Sequence, residues 1–252
     1  MEHTIVGNLD LALVSLYIFW AFFFGLVIWI QRENMREGYP LEDDAGKVSS
    51  GQGVYGLPSP KTFKLRDGRG EVTVPDPDGG DKRELAMEPL SDSPGSPYVP
   101  TGNPLVDGIG PAAWAERRDV PELDGHGHPK IQPMSGSEFQ VVAGRDARGL
   151  PVCSADNKVV GTVTDMWVDV PEQLIRYVEY ELTGGGKRLI PIQLANFKRD
   201  RINVHSLYAE HFEAVPAIKG TNQITLLEEE KVCAYYCGGK LYAAENREEP
   251  QL

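Results

Sequence analysis

Two short stretches of this chain carry residue types that can do chemistry. The first is Glu122-Leu-Asp-Gly-His-Gly-His128. Asp124, His126 and His128 stand at alternate positions in a glycine-rich loop, so on extended backbone their side chains would project to one side. A carboxylate with two imidazoles can hold a divalent ion, and the same set can pass protons near neutral pH. A solvated loop with no chemical role is an equal reading of these residues. A catalytic metal site would want a further ligand, a general base and a pocket, and the sequence points to none.

The second stretch is Asp169-Val-Pro-Glu172, with Arg176 four residues on. Pro171 forces a turn at the end of a strand, so the two carboxylates crowd a sheet end. An exposed Glu172–Arg176 pair is worth under about 1 kcal/mol. Buried, close carboxylates resist losing both protons while the arginine favours the charged form, and the competition sets a proton affinity between extremes. A phosphate-binding glycine loop, HExxH and GxSxG are all absent from the sequence. The 3 cysteines form no CxxC and fit a reducing compartment. Cys233 and Cys237 would share a helix face and are expected to act as small buried hydrophobes.

The element that must carry everything else is the run Leu11–Ile30, which holds no charge. About 20 residues of helix rise the ~30 Å of a bilayer's hydrocarbon core. A cleaved signal peptide wants a basic start and a small-residue cleavage site. Here the start carries Glu2 and Asp10, and the run ends in Trp29-Ile30-Gln31-Arg32. Arg32, Arg36 and Lys47 follow the span, so the positive-inside rule puts the long C-terminal part in the cytoplasm. A net charge of −12 argues against nucleic-acid binding, which wants clusters of Lys and Arg.

After the span, the composition predicts extended chain. A short hairpin is expected from Thr62–Leu65 and Glu71–Val74 around a turn at Asp67-Gly68. Pro75 to Pro100 is rich in Pro, Gly, Asp and Ser, the make-up of a linker. Val106, Ile109 and Trp114 are apolar anchors along non-repeating backbone, so the region reads as a strap that orders against other proteins. From about Phe139 the texture turns strand-like, over Lys158–Val170, Ile175–Leu182, Lys187–Gln193 and Arg201–His205. In the first of these, Met166, Val168 and Val170 share one face and Asp165 and Asp169 the other. In the second, Val178, Tyr180 and Leu182 alternate against Glu179 and Glu181. Short strands at such spacing suggest a small antiparallel barrel. Thr225 and Glu228 have the capping-box form, which predicts a helix to Tyr236 ended by Gly238-Gly239.

Longer segments carry a family resemblance. They are Arg32–Leu41, Pro100-Thr-Gly-Asn-Pro104, Asp107–Trp114, Arg117–His128, Trp167–Gln173 and Leu226–Cys233. In this order behind one N-terminal span, they resemble the H subunit of the purple-bacterial photosynthetic reaction centre over nearly the whole chain. The C-terminal half resembles the PRC-barrel module, a small β-barrel shared with a ribosome-maturation factor. The pattern drifts over Lys64–Tyr98 and Arg145–Asn157.

The resemblance implies a single transmembrane α-helix plus a mainly β cytoplasmic domain, with extended strap segments and a short C-terminal helix. Its parts would be a periplasmic N-terminus (1–10), the span (11–31), the strap (32–135), the PRC-barrel-like domain with its helix (136–245) and a tail (246–252). It implies a non-enzymatic subunit that binds no cofactor itself and caps the L and M subunits. Those carry bacteriochlorophyll, bacteriopheophytin, quinones, non-haem iron and carotenoid. Light-harvesting 1 antenna polypeptides and membrane lipids would surround it in the bacterial inner (intracytoplasmic) membrane. Asp124, His126 and His128 match the family's surface proton-uptake cluster, which can also take an inhibitory divalent metal. Asp169 and Glu172 match internal carboxylates on the proton route, and Arg176 matches their basic partner. Two alternatives stand beside this reading. One is a membrane-tethered metal-dependent hydrolase using the Asp124/His126/His128 loop. The other is a PRC-barrel adaptor outside photosynthesis.

Overall fold

A computed structural model describes residues 10–43, 47–66, 70–76, 83–93, 95–142 and 144–247. The chain falls into two compact units, the first built from residues up to 83 with 93–95, the second from 84–92 and 96 onward.

In the first unit, helix α1 runs Leu11–Asn34. Asp10 starts it by accepting a hydrogen bond from the Ala12 amide at 2.9 Å, which satisfies one of the orphan donors of the first turn. Ser15 donates back to the Leu11 carbonyl at 2.9 Å, so its hydroxyl costs the span nothing. At 24 residues, the helix is long and apolar enough to cross a membrane. None of its residues is buried, which separates it from the core helix of a globular domain. It passes the expected end at 31 by a further turn. There the Arg36 guanidinium grips Glu33 through two contacts of 2.8 and 2.9 Å and donates to the Ser59 carbonyl. Strands β1 (Lys61–Lys64) and β2 (Glu71–Val74) pair antiparallel, Lys61 opposite Val74. The turn expected at Asp67-Gly68 lies outside the described residues.

The second unit begins with a ribbon of β3 (Met87–Pro89) and β4 (Tyr98–Pro100), followed by the one-turn helix α2 (Pro104–Asp107). Its main sheet holds β5 (Ile131–Pro133), β6 (Pro151–Cys153), β7 (Val159–Asp169), β8 (Leu174–Leu182) and β9 (Lys187–Pro191). Two short strands, β10 (Asn196–Phe197) and β11 (Ile202–Asn203), complete it among the described residues. The order is β10-β11-β6-β7-β8-β9, with β5 also on β7. All pairings are antiparallel except β11 with β6, so the expected antiparallel pattern is broken at one place. Register shifts within β7 against β8 bend the long central strand and curl the sheet. Strand β5 precedes the boundary expected at 136 and already belongs to this sheet.

Helix α3 runs Leu226–Tyr242, opened by the expected capping box between Thr225 and Glu228. It does not stop at Gly238-Gly239. Both glycines are helical and buried, because a Cβ at Gly238 would lie 2.5 Å from the Ala112 Cβ and one at Gly239 would strike Leu207. They are there for close approach of neighbouring chain, not for termination. That approach also explains the strap beyond residue 96. Leu105, Ile109 and Ala112 are buried, and the first and last of them sit against Gly238. Trp114 is half-buried beneath the Lys231 ammonium, 4.4 Å from the ring centre. Of the three expected anchors, only Val106 is left exposed. This part of the strap orders against its own domain.

The core gathers Val152, Met166, Val178, Tyr180, Ile190, Ile202, Phe212, Val232 and Tyr236. The alternation read in β7 would leave the Asp165/Asp169 face to solvent, yet both carboxylates are only 4% exposed. Trp167 between them is fully buried. The sheet is covered on both faces at this strand, and its second face is a buried polar one.

Candidate functional site

The Glu122–His128 stretch is a tight loop, not extended chain. The Asp124 amide donates to the His128 carbonyl and the Lys130 amide to the Glu122 carbonyl, both at 2.8 Å, while Gly127 takes a positive φ of 85°. Asp124 Oδ1 accepts from the amides of His126 and His128 at 2.8 and 2.9 Å. An aspartate that bonds the backbone two residues on is a common way to close such a turn. These two amides, His128's the stronger, hold the Asp124 carboxyl below its usual range, so it is ionised at neutral pH. Asp124 Oδ2 lies 3.7 Å from His128 Nδ1, and both imidazoles are exposed. The backbone is thus a closed turn and not the extended chain expected here. It brings the His128 ring and the His126 amide to the Asp124 carboxylate. Among the described residues, no group of three His, Cys, Asp or Glu could hold a metal ion.

The loop feeds directly into β5, and β5 sets where it sits. Ile131 pairs with Asp169, and the Val170 amide donates to the Lys130 carbonyl at 2.8 Å. Residues some 40 positions apart in sequence are thereby fastened to one sheet end. A groove of about 570 Å³ lies between, lined by Asp124, His128, Gln132, Val170 and Asn222. Lys130 reaches back to Glu122 at 2.6 Å. That bond, more than the nearby Asp169 and Glu172 charges, raises its proton affinity.

At the sheet end the expected trio comes together. The turn after β7 uses Pro171 and a left-handed Gln173 (φ 56°). A register shift pairs Trp167 with Tyr177 and Val168 with Ile175, leaving Arg176 as the extra residue of a bulge. Its guanidinium donates to Asp169 Oδ2 at 3.1 and 3.2 Å and to Glu172 Oε2 at 3.0 Å. The Glu172 amide donates to Asp169 Oδ1 at 3.2 Å. Asp169 is buried, whereas the Glu172 side chain is 55% exposed, so the two carboxylates share one cation from different depths. Burial alone would lower Arg176's proton affinity, but the Asp169 hydrogen bond and the Glu172 charge outweigh it.

Three buried or half-buried acids escaped the sequence reading. Glu179 is 5% exposed and accepts from Thr164 Oγ1 (2.7 Å), Trp167 Nε1 (3.1 Å) and Lys187 Nζ (2.7 Å). Asp165, opposite it in register, accepts from the Ser135 amide. Alternation marks both as solvent-facing, and no local signal contradicts that. Glu229, on α3, accepts from the Tyr177 hydroxyl at 2.8 Å. Here a signal existed, since Glu229 lies one helical turn before Cys233 on an inward face. Cys233 is half-buried, and burial pushes its thiol up to about 11. Cys237 is exposed, so of the two cysteines expected to be buried one is half-buried and the other faces solvent.

Two family models match the chain. That of the photosynthetic reaction centre H-chain N-terminal region covers residues 3–136, and that of the PRC-barrel domain covers residues 139–211.

Proposed function

The chain belongs to the photosynthetic reaction centre H-chain family, and from that premise we propose that it caps the L and M subunits on the cytoplasmic side and supports proton delivery to their secondary quinone. It is a structural subunit rather than an enzyme, and the hydrolase reading falls with that. The family is membrane-associated, and the chain carries one apolar helix long enough to span. In the proposed setting the N-terminus is periplasmic, the second unit is cytoplasmic, and antenna polypeptides and lipids surround the span. Pigments, quinones, iron and carotenoid reside on L and M.

Reducing a quinone to quinol consumes two protons, yet the quinone must be kept from water. A protein chain reconciles these demands by offering a surface acceptor and, behind it, acids and bases at hydrogen-bond spacing. The observation that carries the reading is the β5 link. It joins an exposed histidine pair, beside an Asp124 that stays ionised at neutral pH, to the buried Asp169 cluster at the same sheet end. His126 and His128 would take protons from water. Glu172, half in solvent, and Asp169, out of it, would pass them inward, with Arg176 as the counter-charge the two carboxylates share. The L and M subunits would hold the rest of the route.

The test uses the assembled complex. His126→Ala with His128→Ala should slow proton-coupled transfer of the second electron several-fold and leave primary charge separation intact. Unchanged second-electron kinetics across neutral pH would remove the proton-uptake role from these histidines.

A further inference from the structure

Asp119 belongs to none of the groups so far assigned, yet it stands where the segment entering the histidine loop meets the start of α3. Its Oδ1 accepts from the Thr225 hydroxyl at 2.8 Å and its Oδ2 from the Lys219 ammonium. Lys219's hydrogen bond first, and Thr225's second, hold the carboxyl below its usual range, so it is ionised at neutral pH. Lys219 and Thr225 are the two ends of one short loop. Their amides donate to the two oxygens of the buried Glu228, at 2.7 and 2.9 Å, so Glu228 closes that loop from the core side. Asp119, itself partly exposed, fastens the same two residues through their side chains.

The loop so held carries Asn222, which lines the groove of about 570 Å³ together with Asp124 and His128. From Asp119 to the histidines the chain is paired step by step. The Leu226 amide donates to the Val120 carbonyl at 3.1 Å, and Pro121 bridges Thr225. Glu122 holds Lys130, and Leu123 bridges Pro129. The leaving side of the histidine loop is thus fixed by β5 on β7, and the entering side by this contact with the start of α3. An isolated bridge holds weakly by itself, whereas hydrogen bonds to an ionised carboxylate are roughly twice as strong as neutral ones.

We propose that Asp119 is a positioning residue for proton uptake. By clamping Lys219 and Thr225 to the entering segment, it holds the Asn222 loop and the histidine loop in place on either side of the groove. It acts through the backbone between 119 and 124 and carries no proton itself. The role in uptake rests on the function proposed above, but the placement of the loop does not.

The test is made on the intact complex with Asp119→Ala and Asp119→Asn, the second keeping an acceptor for Thr225 while giving up the charge that holds Lys219. Hydrogen exchange reads the amides of residues 122–130 and 219–226. Second-electron transfer is timed in each variant, with and without His126→Ala and His128→Ala. Exchange should rise in both segments in Asp119→Ala, less in Asp119→Asn, and stay as in the wild type across β8 and β9. Second-electron transfer should slow several-fold in Asp119→Ala alone, yet slow no further once both histidines are gone. A merely structural Asp119 would slow both backgrounds alike, and that result overturns the proposal. Unchanged exchange in the two segments, or unchanged kinetics where the histidine variants do slow the step, overturns it as well. If the histidine variants alone leave the kinetics unaltered, proton uptake by this chain falls, and the exchange data still decide whether Asp119 places the loop.

Discussion

Asp124 and Asp169 are the same residue type near one end of a single strand pairing, and they are held in opposite ways. Asp124 is satisfied by backbone amides two and four residues ahead of it, inside an exposed loop. Asp169 is buried and depends on a guanidinium seven residues on, which a bulge and a turn deliver to it. The first arrangement is local and survives changes elsewhere. The second is bought by tertiary structure and fails when any part of that structure moves. Where a site must exchange protons with water, a locally closed loop suffices. Where it must hold charge out of water, the fold has to supply the counter-charge.

That contrast can be tested by removing one side chain at a time. Asp169→Ala should have the largest effect on stability, since it strands Arg176 and the Glu172 amide. With Arg176 partly exposed, the loss should be about 2–3 kcal/mol, seen as a lower unfolding midpoint of this chain in the intact complex. A loss within 0.5 kcal/mol would erase the distinction between the two aspartates. Gly238→Ala comes next. It forces a methyl onto Ala112 and should cost about 1–3 kcal/mol by the same measurement, with proton-coupled kinetics the cleaner control. Glu172→Gln should cost under about 1 kcal/mol because its side chain is half in solvent, yet it should slow the second-electron step. Unaltered rates would reduce Glu172 to structure. Asp124→Asn should show least at neutral pH. Its carboxyl lies below the ordinary 3.8 in the folded chain, so its contribution is complete above 3.8 and disappears as pH falls through the lower folded value. The variant should therefore differ from wild type in acid unfolding only, and a difference in midpoint near pH 7 would contradict the local account.

Much of the architecture was legible because it rests on short-range rules. An uncharged run of bilayer length, Thr225 and Glu228 at capping-box spacing, and the hairpin strands flanking 65–70 all follow from neighbours within one or two turns of chain. Gly238-Gly239 were misread as a stop because the same two residues serve termination and close packing. Only the presence of Ala112 and Leu207 against them separates these roles. The burial of Asp165 and Glu179 was not legible for a related reason. Period-two alternation tells which residues share a face, but not whether that face is covered.

The sequence by itself determined the membrane-length helix, the β character of the second unit and the family. Each is a property of residue type and spacing. The tertiary structure alone decided that β5 lays the histidine loop on the end of β7, and that Arg176 bulges into reach of two carboxylates. It also decided that Glu229 turns inward to Tyr177. Those outcomes depend on strand register and burial, which are set by contacts between residues tens of positions apart.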